Sequence, residues 1–114
     1  MTPTANIRTR LRKLLNEVIP VGGTESDTQF TDTELDELLT EAMNIYGAAA
    51  AGWTIKAGLL QGQIESYAVG QERYDLTSLK DQLAYALAMS GHYASTAQVS
   101  TGSRLFGFEP PEVL

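Results

Sequence analysis

Between Tyr46 and Tyr67 the residues Tyr46, Ala50, Trp53, Ala57, Leu60, Ile64 and Tyr67 recur in steps of 4, 3, 4, 3, 4 and 3. Only an α-helix brings such positions to one side, so this seam predicts a helix over about residues 45–66 with Trp53 as its core anchor. Beside it Gly47, Ala51, Thr54, Gly58 and Gly62 form a strip with small side chains. A neighbouring backbone can come close along that strip, and Lys56, between the strips and solvent, reads as a surface charge. The most apolar window, about residues 42–60, holds Asn44, Thr54 and Lys56 and falls short of the ~20 strongly apolar residues of a membrane span. The chain reads as soluble, with no membrane partner.

Further helices flank this one. Ile7, Leu11, Leu14, Leu15 and Val18 lie at helical spacing over residues 5–18, and Pro3 and Thr4 suit a helix start. "IPVGGTESD" then ends the run with Pro20, Gly22 and Gly23. Thr31 with Glu34 three residues on forms a capping box, and Phe30 and Leu35 can staple it. Leu35, Leu38, Leu39, Ala42 and Met43 continue as one apolar stripe. At "MNIYG" the chain either breaks or bends, because Asn44 and Gly47 suit helix ends. "ESYAVGQERYDL" has room for a short β-hairpin about Gly70. Asp75, Thr77 and Ser78 offer N-caps for a last helix over about residues 78–96, with Leu76, Leu79, Leu83, Ala86, Leu87 and Tyr93 as its buried face.

From Gln98 the periodicity stops, yet Val99, Leu105, Phe106, Phe108, Val113 and Leu114 follow. So many large apolar groups are unusual in a disordered linker. The expected fold is therefore all-α: a small bundle of about four helices, the short hairpin before the last, and an extended C-terminal tail. Residues 1–97 form the helical domain. Residues 98–114 form a tail that docks on a partner or folds back over its own domain, with Val99, Arg104, Leu105, Phe106, Phe108, Val113 and Leu114 as its contact residues. The expected core includes Leu38, Trp53, Leu60, Leu83 and Leu87.

At 114 residues the chain suffices for one compact domain. Its net charge of -6 argues against general nucleic-acid binding, which needs a basic surface. The charge is unevenly spread: Arg8, Arg10, Arg12 and Lys13 cluster early, and Glu25, Asp27, Asp32, Glu34, Asp36, Glu37 and Glu41 follow with no basic residue among them. Two readings are open: copies that attract one another head to tail, or two solvated helix faces. On the first reading Arg8, Arg12, Asp32 and Asp36, with Gly58 and Gly62 on the thin strip, form a subunit interface.

Catalytic chemistry finds no footing. There is no cysteine and one histidine, His92, so an imidazole–thiolate metal site has no ligands. Ser90 and His92 lie two apart on a helix and point in different directions, which defeats a relay with Asp81. No phosphate-loop spacing occurs, and the acidic run does not match a calcium loop. The expectation is a protein that is not an enzyme and takes no cofactor. A second reading is a small helical DNA-binding module, of terminase small-subunit or helix-turn-helix type, using residues 5–41. Against it, Arg8 and Arg12 share a face while Arg10 and Lys13 point elsewhere, which breaks up any groove-reading surface.

The order of features, a short basic helix, "FTDTELDELLTEA", "AAAAGWTIKAGLL", a "VG" turn and "LTSLKDQLAYALAMSGHYA", resembles the small head-tail connector (adaptor) proteins of tailed bacteriophages. The likeness covers about residues 7–96. One departure is Met43, Asn44 and Ile45, where that family often has Gly-Gly-Asp. The resemblance implies a helical subunit of a dodecameric ring beneath the portal protein, docking a tail or stopper protein. Genomic DNA would pass through the channel without sequence-specific binding. It further implies a location in the virion neck after assembly in the host cytoplasm, and a tail that inserts into the portal or an adjacent copy with Phe106 and Phe108 as anchors.

Overall fold

The computed structural model describes residues 1–69 and 76–106. Among them are four helices, α1 (Ala5–Leu14), α2 (Asp32–Glu41), α3 (Ile45–Val69) and α4 (Leu76–Phe106), with one 3-10 turn at Glu25–Asp27 and no strand. The all-α expectation holds. Of the expected hairpin segment, Glu65–Val69 are helical and residues 70–75 lie outside the described residues.

Local chemistry explains the helix starts. Thr4 caps α1, its hydroxyl accepting from the Ile7 amide at 3.2 Å. Thr31 and Glu34 form the reciprocal box at α2: the Thr31 hydroxyl accepts from the Glu34 amide at 3.1 Å, and the Glu34 carboxylate from the Thr31 amide at 2.8 Å. Each cap satisfies amides that the first turn leaves without a partner. Asn44 does the same for α3, its Oδ1 accepting from the Gly47 amide at 3.0 Å. The chain therefore breaks between α2 and α3.

The ends differ more from expectation. α1 stops at Leu14 because Asn16 takes a left-handed conformation, φ 58°. The Glu17 amide then donates to the Arg12 carbonyl at 2.8 Å and the Asn16 amide to that of Lys13 at 3.3 Å, a Schellman closure. Val18, expected on the buried stripe, is left exposed in the loop. Met43 is likewise exposed, since α2 ends two residues before it.

α3 and α4 are antiparallel. Asn44 reaches the Ala97 carbonyl at 3.4 Å, Tyr46 stacks on Tyr93 with ring centroids 6.3 Å apart, and Trp53 meets Tyr85 edge-on at 5.4 Å. As the register rises along α3 it falls along α4. α1 and α2 cover the opposite side of α3 near its start, and the core lies between these layers: Leu11, Leu15, Phe30, Leu35, Leu39, Ile45, Ala48, Ala49, Trp53, Ala57 and Ala86. Leu11, Leu15, Leu35 and Leu39 are fully buried, each contributing about 1.5–3 kcal/mol relative to exposure. Leu38, Leu60 and Leu83 pack against this core, in keeping with expectation. Leu87 does not: it is 55% exposed, because Ala86, one residue earlier, points into the bundle and a step of one turns the next side chain outward.

Candidate functional site

α3 meets the end of α1 at a hydrogen-bonded joint. The Trp53 indole N–H donates to the Leu14 carbonyl at 3.0 Å, and the Lys56 ammonium to the Leu15 carbonyl at 2.6 Å. Carbonyls at a helix end lack partners and carry negative dipole, so a cation there is favoured. Lys56 also pairs with Glu17 at 2.6 Å and lies 4.4 Å from the centroid of the Trp53 ring. It is thus a joint residue rather than the surface charge expected from its position between the strips. Glu17 completes the arrangement by accepting from the Gln29 amide at 3.0 Å.

Arg12 holds the loop that follows. One guanidinium nitrogen donates to the Glu17 carbonyl at 3.0 Å and the Thr28 hydroxyl at 2.9 Å, the other to the Phe30 carbonyl at 3.0 Å and Asp32 at 2.8 Å. It is 4% exposed, and a guanidinium suits the place because its donors are fixed in a planar fork. Arg8 makes a two-pronged pair with Asp36, both bonds 2.9 Å. The guanidinium hydrogen bond holds the Asp36 carboxyl below its ordinary pKa of 3.8. Arg8, Arg12, Asp32 and Asp36, expected at a subunit interface, are therefore engaged with one another inside the chain. These four of the clustered charges hold α1 against α2.

The strip read from the sequence is exposed at Gly58 and Gly62 and meets α4 at Thr54, whose hydroxyl lies 2.7 Å from that of Ser90. A Cβ added at Gly58 or Gly62 would meet nothing within 4 Å, so none of the described helices lies close there. Within α3 the glycine that a neighbour crowds is Gly52, where an added Cβ would stand 2.6 Å from Leu15 Cδ2. Gly52 was not part of the strip read from the sequence, and no local signal separates it from the other small residues; only the arrival of Leu15 does.

Two concavities open beside the joint. One, about 670 Å³, lies between α3 and α4 over Trp53, Lys56, Leu60, Asp81, Gln82 and Tyr85. The other, about 340 Å³, lies between α2 and α3, with Phe30, Leu38, Ile55 and Leu59 along its base and Glu34, Glu37 and Glu41 on its wall. Among the described residues no group of three or more His, Cys, Asp or Glu side chains is placed to hold a metal. His92 is exposed, with its ring edge-on to Tyr93, and the Ser90 hydroxyl is bound to the Ala50 carbonyl at 3.1 Å. No helix among the described residues is long and apolar enough to cross a membrane.

The expected docking tail divides in two. α4 runs past residue 97 to Phe106 and takes in Val99, Arg104, Leu105 and Phe106, whereas Phe108, Val113 and Leu114 lie outside the described residues. Against known proteins the chain matches no family model, no curated protein and no solved structure.

Proposed function

We propose that this chain is a structural head-tail connector of a tailed bacteriophage, a subunit of a dodecameric ring under the portal that extends the DNA channel and receives a tail or stopper protein. The observation that carries this reading is the unshared outer face of α3. Two sides of that helix are covered by α4 and by the α1–α2 layer, while Ala51, Ile55, Gly58, Leu59 and Gly62 on the third are exposed. Small and apolar residues together on an exposed central helix admit a neighbouring subunit's backbone, which suits wedge-shaped copies in a closed ring. The order of sequence features shared with the connector family supports the same reading.

An acidic subunit also suits a channel through which DNA slides, since like charge keeps phosphates from adhering. The alternative of a DNA-binding module loses support, because Arg8 and Arg12 are spent on Asp36 and Asp32. On this reading the protein performs no catalysis, and its work is ring closure and docking in the virion neck. Mixing purified protein with portal protein is expected to give a ring-sized complex by light scattering after size exclusion. A chain that stays monomeric and ignores portal at micromolar concentration sinks the proposal.

A further inference from the structure

With Arg8 and Arg12 paired internally, the charge left over is distributed in a definite way. On α1 the exposed cations are Arg10 and Lys13, which have no ion pair among the described residues and stand on the side turned away from α2. On α2, Glu37 and Glu41 are exposed, again with no ion pair or hydrogen bond among the described residues, while Asp32 and Asp36 face α1. The unspent acidic groups flank the groove between α2 and α3, over Ile55 at 44% and Leu59 at 48% exposure. The unspent basic groups are followed, on the loop leaving the same end of α1, by Val18 and Val21, both exposed.

We infer that the groove between α2 and α3 is the seat of a second copy of this chain, which inserts the outer side of α1 and the loop after it. Lys13 and Arg10 of the incoming copy meet Glu37 and Glu41, and Val18 and Val21 cover Ile55 and Leu59. Charge sign and apolar content match on both sides: Glu37, Glu41, Ile55 and Leu59 on the groove, and Arg10, Lys13, Val18 and Val21 on the incoming surface, all exposed. The two surfaces are different patches of the molecule, so the contact is heterologous: each copy offers its groove to one neighbour and its α1 to the next. Such a contact propagates into a ring or a filament and does not stop at a dimer. The inference rests on the ring reading proposed above and gives that ring its joint.

The test uses two charge-reversed full-length proteins, E37K/E41K and R10E/K13E, with sedimentation velocity at low salt as the readout. The first pair of changes places one cation at the last residue of α2, where the helix dipole favours it, and the other one turn earlier at an exposed position; thermal melts of both proteins check that folding is preserved. Each variant alone is expected to self-associate at least about tenfold more weakly than the unmodified chain, since like charges then face one another across the contact. An equimolar mixture is expected to assemble again, because each variant's groove now matches the other's α1. Variants that assemble like the unmodified chain overturn the inference while leaving the ring itself intact. So does an E37K/E41K protein that self-associates normally but no longer binds portal, which would give the groove to a different basic partner. An unmodified chain that stays monomeric up to about 100 µM and ignores portal overturns both this inference and the function it rests on.

Discussion

Gly52 and Gly58 stand six residues apart on one helix and make opposite demands. Gly52 faces the methyl groups of Leu15, a fully buried side chain, so Gly52→Ala makes Leu15 shift within the core and is expected to cost about 1–3 kcal/mol. Gly58 faces open space, so Gly58→Ala is expected to stabilise by roughly 0.5–1 kcal/mol through the helix interior's preference for alanine. Urea unfolding of the two single variants checks the pair, and two shifts of the same sign would show that the faces of α3 are assigned wrongly. A weaker ring from Gly58→Ala despite a more stable subunit would in addition place that face in a subunit contact. The sequence presents both positions as small residues in an alanine-rich helix. Their difference comes from a residue some forty positions away, which no local pattern encodes.

The elements themselves were largely legible because their signals are local. Thr4, the Thr31–Glu34 box and Asn44 mark helix starts by hydroxyl, carboxylate or amide groups within three residues of the amides they satisfy. The seam through Trp53, Ala57 and Leu60 is legible because burial on one face needs only periodicity. Ends were harder: Val18 and Ile19 prolong the apolar spacing past α1, and the left-handed Asn16 that closes it is a conformational choice, not a compositional one. α4 likewise passes through a Gly- and Ser-containing stretch that reads as an end. The joint between α1 and α3 was invisible because Lys56 and Glu17 are far apart in sequence. Lys56→Met tests its weight: Glu17 loses its cation and the Leu15 carbonyl its donor, at an expected cost of about 1–3 kcal/mol. Hydrogen exchange is expected to show α1 amides losing protection while those of α3 and α4 keep theirs. Uniform loss across all four helices would mean that the joint is not local.

Across the whole molecule, 56 × 36 × 21 Å in extent, α1 and α2 form a layer held to each other by ion pairs and to the α3–α4 pair by the joint. That division sets the response to acid. The Asp36 pKa is lower folded than unfolded, so the pair with Arg8 contributes stability that is complete above the ordinary carboxylate value of 3.8 and is lost as pH falls through the lower folded value. Thermal melts of the unmodified chain and of Asp36→Asn are expected to differ at neutral pH and to converge below that range; a constant gap down to strong acid would remove the pair from the account. The grip of Arg12 on the loop from Glu17 to Asp32 has another bearing. A sequence with no cysteine has no disulfide to staple such a loop, and here one guanidinium ties its first residue to its last few. Thiols and oxidants therefore find nothing to act on in that closure, and the fold's first forty residues stay stitched whatever the redox state around them.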